Sequence, residues 1–254
     1  MEYTIGALSD PGTTRENNED SIYAAVAETP AGKAFFGVVC DGMGGLDFGE
    51  VASGISVRLF SDWFGSRLAP VADIAGAEAA VGEWKSLISR ANAEINAICA
   101  ERGAVLGTTL TALLLIGGRY FTAQIGDSRA YAVSGGKLRR LTEDHSYVME
   151  MVAQGRMTAE EAVTSTSKNI LTRCIGAKHD YCADFSTGEV SPGDLFLLCS
   201  DGFHGGLDDS RMMELIRGSI GGDMQSMVRK AVEVKKAMGE KDNISLIAAA
   251  VWGQ

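Results

Sequence analysis

Acidic residues placed at the ends of apolar runs constrain this 254-residue chain more than any other feature in it. The run 35–40 leads into Asp41-Gly42, the run 121–125 into Gly126-Asp127, and the run 195–199 into Ser200-Asp201-Gly202. Asp242-Asn243 stands just before the run 244–251, and Glu19-Asp20 stands ahead of 22–26. Short apolar runs bounded by turn residues read as strands. Carboxylates at strand ends converge in space while far apart in sequence, and oxygen ligands gathered this way suit hard divalent cations such as Mg²⁺ or Mn²⁺. A single Asp-Gly pair is most often just a turn. Its recurrence suggests a metal site assembled by the fold.

The order of elements narrows the architecture. Strand-like runs at 3–9, 21–28 and 33–40 come first. Apolar residues then recur at helical spacing from 48 to about 68, through Val51, Ile55, Leu59, Trp63 and Phe64. They do so again from 75 to about 102, through Trp84, Leu87, Ile88, Ala91, Ile95 and Ile98,. A meander follows at 108–116, 120–125, 130–133 and 137–141, punctuated by glycine turns,. Short helices are expected at 144–154 and 158–163, the second capped by Thr158 with Glu161 three residues on,. Strands return at 181–189 and 195–199, helices at 209–220 and 223–238, and a strand at 244–251 closes the chain. Strand runs that follow one another directly fit antiparallel sheets covered by helices, an α+β layering, and match a β-α-β order poorly. No low-complexity linker or internal repeat interrupts the sequence, so 1–254 reads as a single domain.

A net charge of −10 and a pI near 4.8 argue against non-specific nucleic-acid binding and against an anionic membrane surface,. The five cysteines include no C-x-x-C pair, and three lie inside apolar runs, which fits a reducing compartment better than a disulfide framework,. Met1-Glu2-Tyr3-Thr4 lacks the basic and apolar regions of a signal peptide, and no stretch approaches the roughly 20 apolar residues that span a bilayer,. The expectation is a soluble, cytoplasmic protein.

Several stretches stand out together by their order along the chain. They are Ser9-Asp10-Pro11-Gly12-Thr13-Thr14-Arg15-Glu16-Asn17-Asn18-Glu19-Asp20, Val39-Cys40-Asp41-Gly42-Met43-Gly44-Gly45 and Gly49-Glu50-Val51-Ala52-Ser53. Gly107-Thr108-Thr109, Gly126-Asp127-Ser128-Arg129-Ala130-Tyr131, Leu141-Thr142-Glu143-Asp144-His145-Ser146 and Leu171-Thr172-Arg173-Cys174-Ile175-Gly176 follow in order. Leu198-Cys199-Ser200-Asp201-Gly202-Phe203 and Asp242-Asn243-Ile244-Ser245 complete the series. Each is weak alone, but their order and spacing are specific and cover nearly the whole chain, and together they resemble the bacterial metal-dependent serine/threonine protein phosphatases of the type 2C (PPM) family.

The resemblance implies a four-layer αββα sandwich, two antiparallel sheets flanked by helix pairs, with a metal site at one end. It implies that Asp41 bridges two Mn²⁺ or Mg²⁺ ions, that the Gly42 carbonyl completes one shell, and that Asp201 and Asp242 hold the other ion. Glu19 and Asp20 would act through waters, and Asp127 would bind a third ion with Asp201. Arg15 would meet the substrate phosphate through its guanidinium fork. A water shared by two ions would then hydrolyse phosphoserine or phosphothreonine on proteins, with Asp41 and Asp201 at the reacting centre. The implied partners are phosphorylated proteins, chiefly a Ser/Thr kinase or its targets, met by a monomer.

Some positions depart from the family pattern. Met43 occupies the place where some eukaryotic relatives carry a histidine that protonates the leaving oxygen. His204 is read as a loop or surface residue more readily than as an acid, His145 as ordering a helix start, and His179 as a loop residue. Lys168 and Arg173 read as structural or flap residues. Thr164-Ser165-Thr166-Ser167-Lys168 stands where many bacterial relatives have a His-Pro pair, and Phe203-His204-Gly205-Gly206-Leu207 replaces a more usual Thr-Asp continuation. Three rival readings remain: a catalytically silent pseudophosphatase that binds phosphoproteins, a phosphatase of anti-sigma-factor antagonists, and a hydrolase of small phosphoesters.

Overall fold

A computed structural model describes residues 1–44, 48–68, 70–71, 73–176, 181–217 and 223–253. Gly45, His179 and the expected helical residues 218–220 lie outside them. The elements run β1 (Glu2–Asp10), β2 (Asp20–Thr29), β3 (Gly32–Gly44), α1 (Gly49–Arg67), α2 (Ile74–Gly82), α3 (Trp84–Arg102), β4 (Leu106–Thr108), β5 (Leu110–Ile116), β6 (Arg119–Ile125) and β7 (Arg129–Ser134). They continue with β8 (Lys137–Arg140), α4 (Tyr147–Ala153), α5 (Ala159–Thr164), β9 (Asp184–Glu189), β10 (Leu195–Cys199), α6 (Asp201–His204), α7 (Asp209–Arg217), α8 (Met224–Ala237) and β11 (Ile244–Trp252).

Two antiparallel sheets form, ordered β1-β11-β10-β7-β8 and β2-β3-β5-β6-β9, with β4 added alongside β3. Their apolar runs have no polar alternation because both faces of the central strands are covered. Along β3, Phe35 and Val39 face the other sheet, while Ala34, Phe36, Val38 and Cys40 pack under α1 and α3 with Phe60, Trp63, Trp84 and Ile88. Along β10, Phe196 and Leu198 point into the sandwich, and Leu195, Leu197 and Cys199 meet Met212, Met227 and Val228 of α7 and α8. The result is the four-layer αββα arrangement.

Three local differences from the sequence expectation have physical causes. The helix expected over 75–102 divides at Glu83 into α2 and α3, and Asp73 caps α2, its side chain accepting from Gly76 N–H (2.8 Å),. The strand expected over 108–116 divides at Thr109, whose hydroxyl accepts from Asp41 N–H (2.8 Å). Asp41-Gly42 is not a turn: β3 runs on to Gly44, pairing Gly42 with Thr108 on β4. The capping box expected at Thr158 and Glu161 is present, opening α5.

Candidate functional site

Register brings the acidic segments to one end of the sandwich. Asp20 opens β2 directly opposite Asp41 of β3. Leu110 at the start of β5 pairs with Ile125 at the end of β6, so the Gly126-Asp127 turn lies at that end too. Cys199 pairs with Arg129 on one side and Leu246 on the other, which places Asp201, after β10, between the Asp127 turn and Asp242, before β11.

Hydrogen bonds from neighbouring strands and loops fix Asp41, Asp20 and Glu19 in place. The Asp41 carbonyl accepts from Thr109 N–H and the Thr108 hydroxyl, both at 2.9 Å. Ser200 donates its hydroxyl to Asp20 Oδ2 (2.8 Å) and accepts from Ser245 N–H (3.0 Å), joining β2, β10 and β11. Asn243 accepts from Glu19 N–H (2.9 Å) and donates to the Pro11 and Asn17 carbonyls (3.1 Å each), folding the 10–19 loop onto the site. Glu19 Oε1 in turn accepts from Gly49 N–H at the start of α1 (2.8 Å). Gly42 and Gly202 serve close approach and not a sharp turn, since neither has a positive φ. A Cβ at 42 would sit 2.5 Å from the Glu19 carbonyl oxygen and nearer still to that of Gly49, and one at 202 would fall on the Asn243 carbonyl,.

The electrostatics are those of crowded carboxylates. Burial, then Asp20, Asp201, Asp127 and Asp242, pushes the Asp41 carboxyl well above the usual range. Burial raises Asp20 to about 7, opposed by hydrogen bonds from Ser245 and Ser200 and reinforced by Asp201 and Asp242. Asp127 is raised to about 8 by burial, Asp201 and Asp144. Asp201 is raised by burial and Asp242, against a hydrogen bond with Asp41. Among the described residues, Asp20 Oδ1 and Asp201 Oδ1 are buried with no hydrogen-bond partner. Buried oxygens of this kind call for cations, and an all-oxygen set fits hard divalent metals. Among the described residues, no three His, Cys, Asp or Glu side chains close into a protein-only cage. Backbone oxygen and water commonly complete the shells of Mg²⁺ and Mn²⁺.

Arg15 sits at the mouth, more than half exposed. Its Nε and Nη2 donate to Asp242 Oδ1 and Oδ2 (3.1 and 3.3 Å), and that pairing raises its already high pKa. The residue expected to meet a phosphate is thus joined to a candidate metal ligand.

The family model described as "Protein phosphatase 2C" matches residues 13–238. The chain belongs to the protein phosphatase 2C family. It is 32% identical over 249 residues to the serine/threonine protein phosphatase PstP of Mycobacterium tuberculosis, covering 96% of this chain and 44% of PstP. It is 34% identical over 245 residues to the serine/threonine phosphatase stp of Listeria monocytogenes, covering 94% of this chain and 92% of that protein. The solved catalytic domain of PstP, in complex with two manganese ions, superposes with a TM-score of 0.80 at 31% identity over 99% of both chains. The chain thus spans less than half of one relative and nearly all of another.

Two histidines of this phosphatase 2C domain have roles that the sequence did not disclose. His204 is neither loop nor surface: it ends α6, is buried, and donates from Nε2 to the Asp127 carbonyl (2.9 Å). Burial, with Arg129 nearby, lowers its pKa to about 3, so it stays neutral. His145 lies ahead of α4 and grips the same turn from the other side. Its Nδ1 accepts from Gly126 N–H (3.2 Å), its own N–H donates to the Gly126 carbonyl (2.9 Å), and Nε2 meets Asp184 (3.0 Å). Arg173 joins that group through Asp184 (3.0 Å), a structural role. Gly126 itself has φ near 96°, a conformation that favours glycine,.

Proposed function

We propose that this chain hydrolyses phosphoserine and phosphothreonine on proteins, as a single catalytic domain over 1–254 that uses divalent cations. The observation that carries the reading is the convergence of Asp20, Asp41, Asp127, Asp201 and Asp242 at one end of the sandwich, with unpartnered buried oxygens on Asp20 and Asp201. Asp41 and the Gly42 carbonyl, with Asp201 and Asp242, would hold two Mn²⁺ or Mg²⁺ ions; Glu19 and Asp20 would hold their waters, and Asp127 with Asp201 a third ion. When bound, such ions supply a nucleophile at neutral pH and offset phosphoryl charge.

The chain's own groups do the rest. Ser200 aims Asp20, and Thr108 and Thr109 fix the backbone of Asp41. Arg15, exposed at the mouth, offers a planar fork to the incoming phosphate in exchange for Asp242,. His204, neutral and committed to the Asp127 carbonyl, holds a turn and gives no proton to a leaving group. Relatives named as serine/threonine phosphatases support protein substrates, with a bacterial Ser/Thr kinase or its targets as partner. We place the protein in the cytoplasm as a monomer; no helix among the described residues is long and apolar enough to cross a membrane.

The test is phosphate release from a phosphothreonine peptide, with and without Mn²⁺, for the wild type, Asp41→Asn and Asp201→Asn. Metal-dependent turnover lost in both variants is expected. A wild type that binds the peptide but stays inactive across Mn²⁺ and Mg²⁺ would overturn the reading in favour of a silent phosphoprotein-binding domain.

A further inference from the structure

The helix that carries Asp201 is a single turn, Asp201–His204, too short to hold a carboxylate in place by its own hydrogen bonds,. Two buried side chains at its far end anchor it instead. His204, 7% exposed, donates to the Asp127 carbonyl; because a carbonyl only accepts, the ring carries its proton on Nε2,. One residue on, Gly205 N–H closes the turn on the Asp201 carbonyl (2.7 Å), and the Gly205 carbonyl accepts from Lys235 Nζ (2.6 Å). Lys235, 2% exposed in the last turn of α8, also donates to Glu240 Oε2 (3.1 Å). Glu240 Oε1 then accepts the N–H groups of Lys241 (2.8 Å) and Asp242 (3.1 Å). Hydrogen bonds, joined across the His204–Gly205 peptide link, connect the Asp127 carbonyl through His204, Gly205, Lys235 and Glu240 to the Asp242 amide.

The geometry points to His204 and Lys235 as positioning residues that tie the Asp127 turn, the Asp201 helix and the Asp242 loop into one unit, so that the three carboxylates are set together to receive cations. The inference rests on the metal-site reading above and extends it to groups that touch no ion. Burying an ammonium is costly unless its donors are satisfied, and a methionine of similar length would fill the same space without that cost. Here the donors are spent on the backbone of one ligand segment and on the carboxylate that orients the backbone of another. Loss of a partner that orients a metal ligand from behind typically weakens metal binding by about 10–100-fold.

The experiment is a calorimetric titration of Mn²⁺ into the intact protein, for the wild type, His204→Phe, His204→Gln, Lys235→Met and Glu240→Ala, with melting in EDTA to confirm folding. His204→Phe and Lys235→Met are expected to bind Mn²⁺ roughly 10–100-fold more weakly. Their kcat falls while KM for a phosphopeptide changes little, and His204→Gln, which keeps an N–H donor, recovers most of the affinity. Isotherms of folded His204→Phe and Lys235→Met that overlay the wild type would overturn the proposal. Should Lys235→Met not fold, Glu240→Ala breaks the same path from its more exposed end: weakened binding supports it and a wild-type isotherm sinks it. A wild type that takes up no Mn²⁺ overturns the metal-site reading itself, whereas a binding wild type beside unaffected variants overturns this inference alone.

Discussion

Asp20→Asn should make the metal-free protein more stable and the metal-loaded protein less competent. Asp20 is 6% exposed; Oδ2 takes the Ser200 hydroxyl and Oδ1 has no partner. Its rise from 3.8 to about 7, dominated by burial, corresponds to ~4 kcal/mol at 1.36 kcal/mol per pH unit,. The sign is destabilising. At low pH the folded and unfolded chains both hold the proton, and nothing is lost. As pH climbs above 3.8 the unfolded chain ionises while the folded chain keeps its proton, so stability falls until about 7 and then levels off,. An amide retains an oxygen for Ser200 and carries no charge.

The assay is thermal melting in EDTA at pH 8 and pH 4.5, repeated at pH 8 with Mn²⁺. For a domain of this size ~4 kcal/mol moves Tm by roughly 8–16 °C. Asp20→Asn should melt higher than the wild type by that order at pH 8 in EDTA, with most of the gain gone at pH 4.5. Mn²⁺ at 100-fold above its Kd adds about 2.7 kcal/mol to a protein that binds it. The wild type should therefore recover most of the gap, and the variant should respond less. A variant no more stable than the wild type at pH 8, or a gain equal at both pH values, would refute the crowded-carboxylate argument.

Gly202→Ala would press a Cβ onto the Asn243 carbonyl and within 3.5 Å of Asp242 Cβ; overpacking of this kind costs about 1–3 kcal/mol, read as a lower urea midpoint with reduced Mn²⁺-dependent turnover,. Arg15→Lys should leave the urea midpoint nearly unchanged, because the Arg15–Asp242 pair is exposed, but raise KM for a phosphopeptide; an unchanged KM would remove Arg15 from phosphate binding,. Thr158→Ala deletes the capping box of α5, at about 1 kcal/mol, and should speed amide exchange over 159–164 without altering kcat,.

The layering was legible because both faces of β3, β10 and β11 are buried, and burial on both faces leaves unbroken apolar runs in the sequence,. The helix pair α1 and α3 showed through the spacing of Trp63, Trp84, Ile88 and Ile95, all of which pack under one sheet. Boundaries were harder to read. Glycine after Asp41 suggested a turn, since glycine does permit one. What requires it is the close approach of the Gly49 and Glu19 carbonyls, which no local turn pattern records,.

The same asymmetry explains the site. A group that is to bind a hard cation must be an oxygen donor, so Asp41, Asp127, Asp201 and Asp242 stand out wherever they fall beside a strand end. A group that steadies such a donor has only to reach a backbone N–H or carbonyl, which serine, asparagine, histidine, lysine and glutamate all do. Ser200, Asn243, His145, His204 and Lys235 take that task in this chain, and their residue types announce nothing. His204 follows Phe203 on a short helix that no 3.6-residue period could reveal, and Lys235 sits on α8 among charged neighbours that face water. Ligands are fixed by chemistry and their supports by geometry, so the first can be read from a sequence and the second only from a fold.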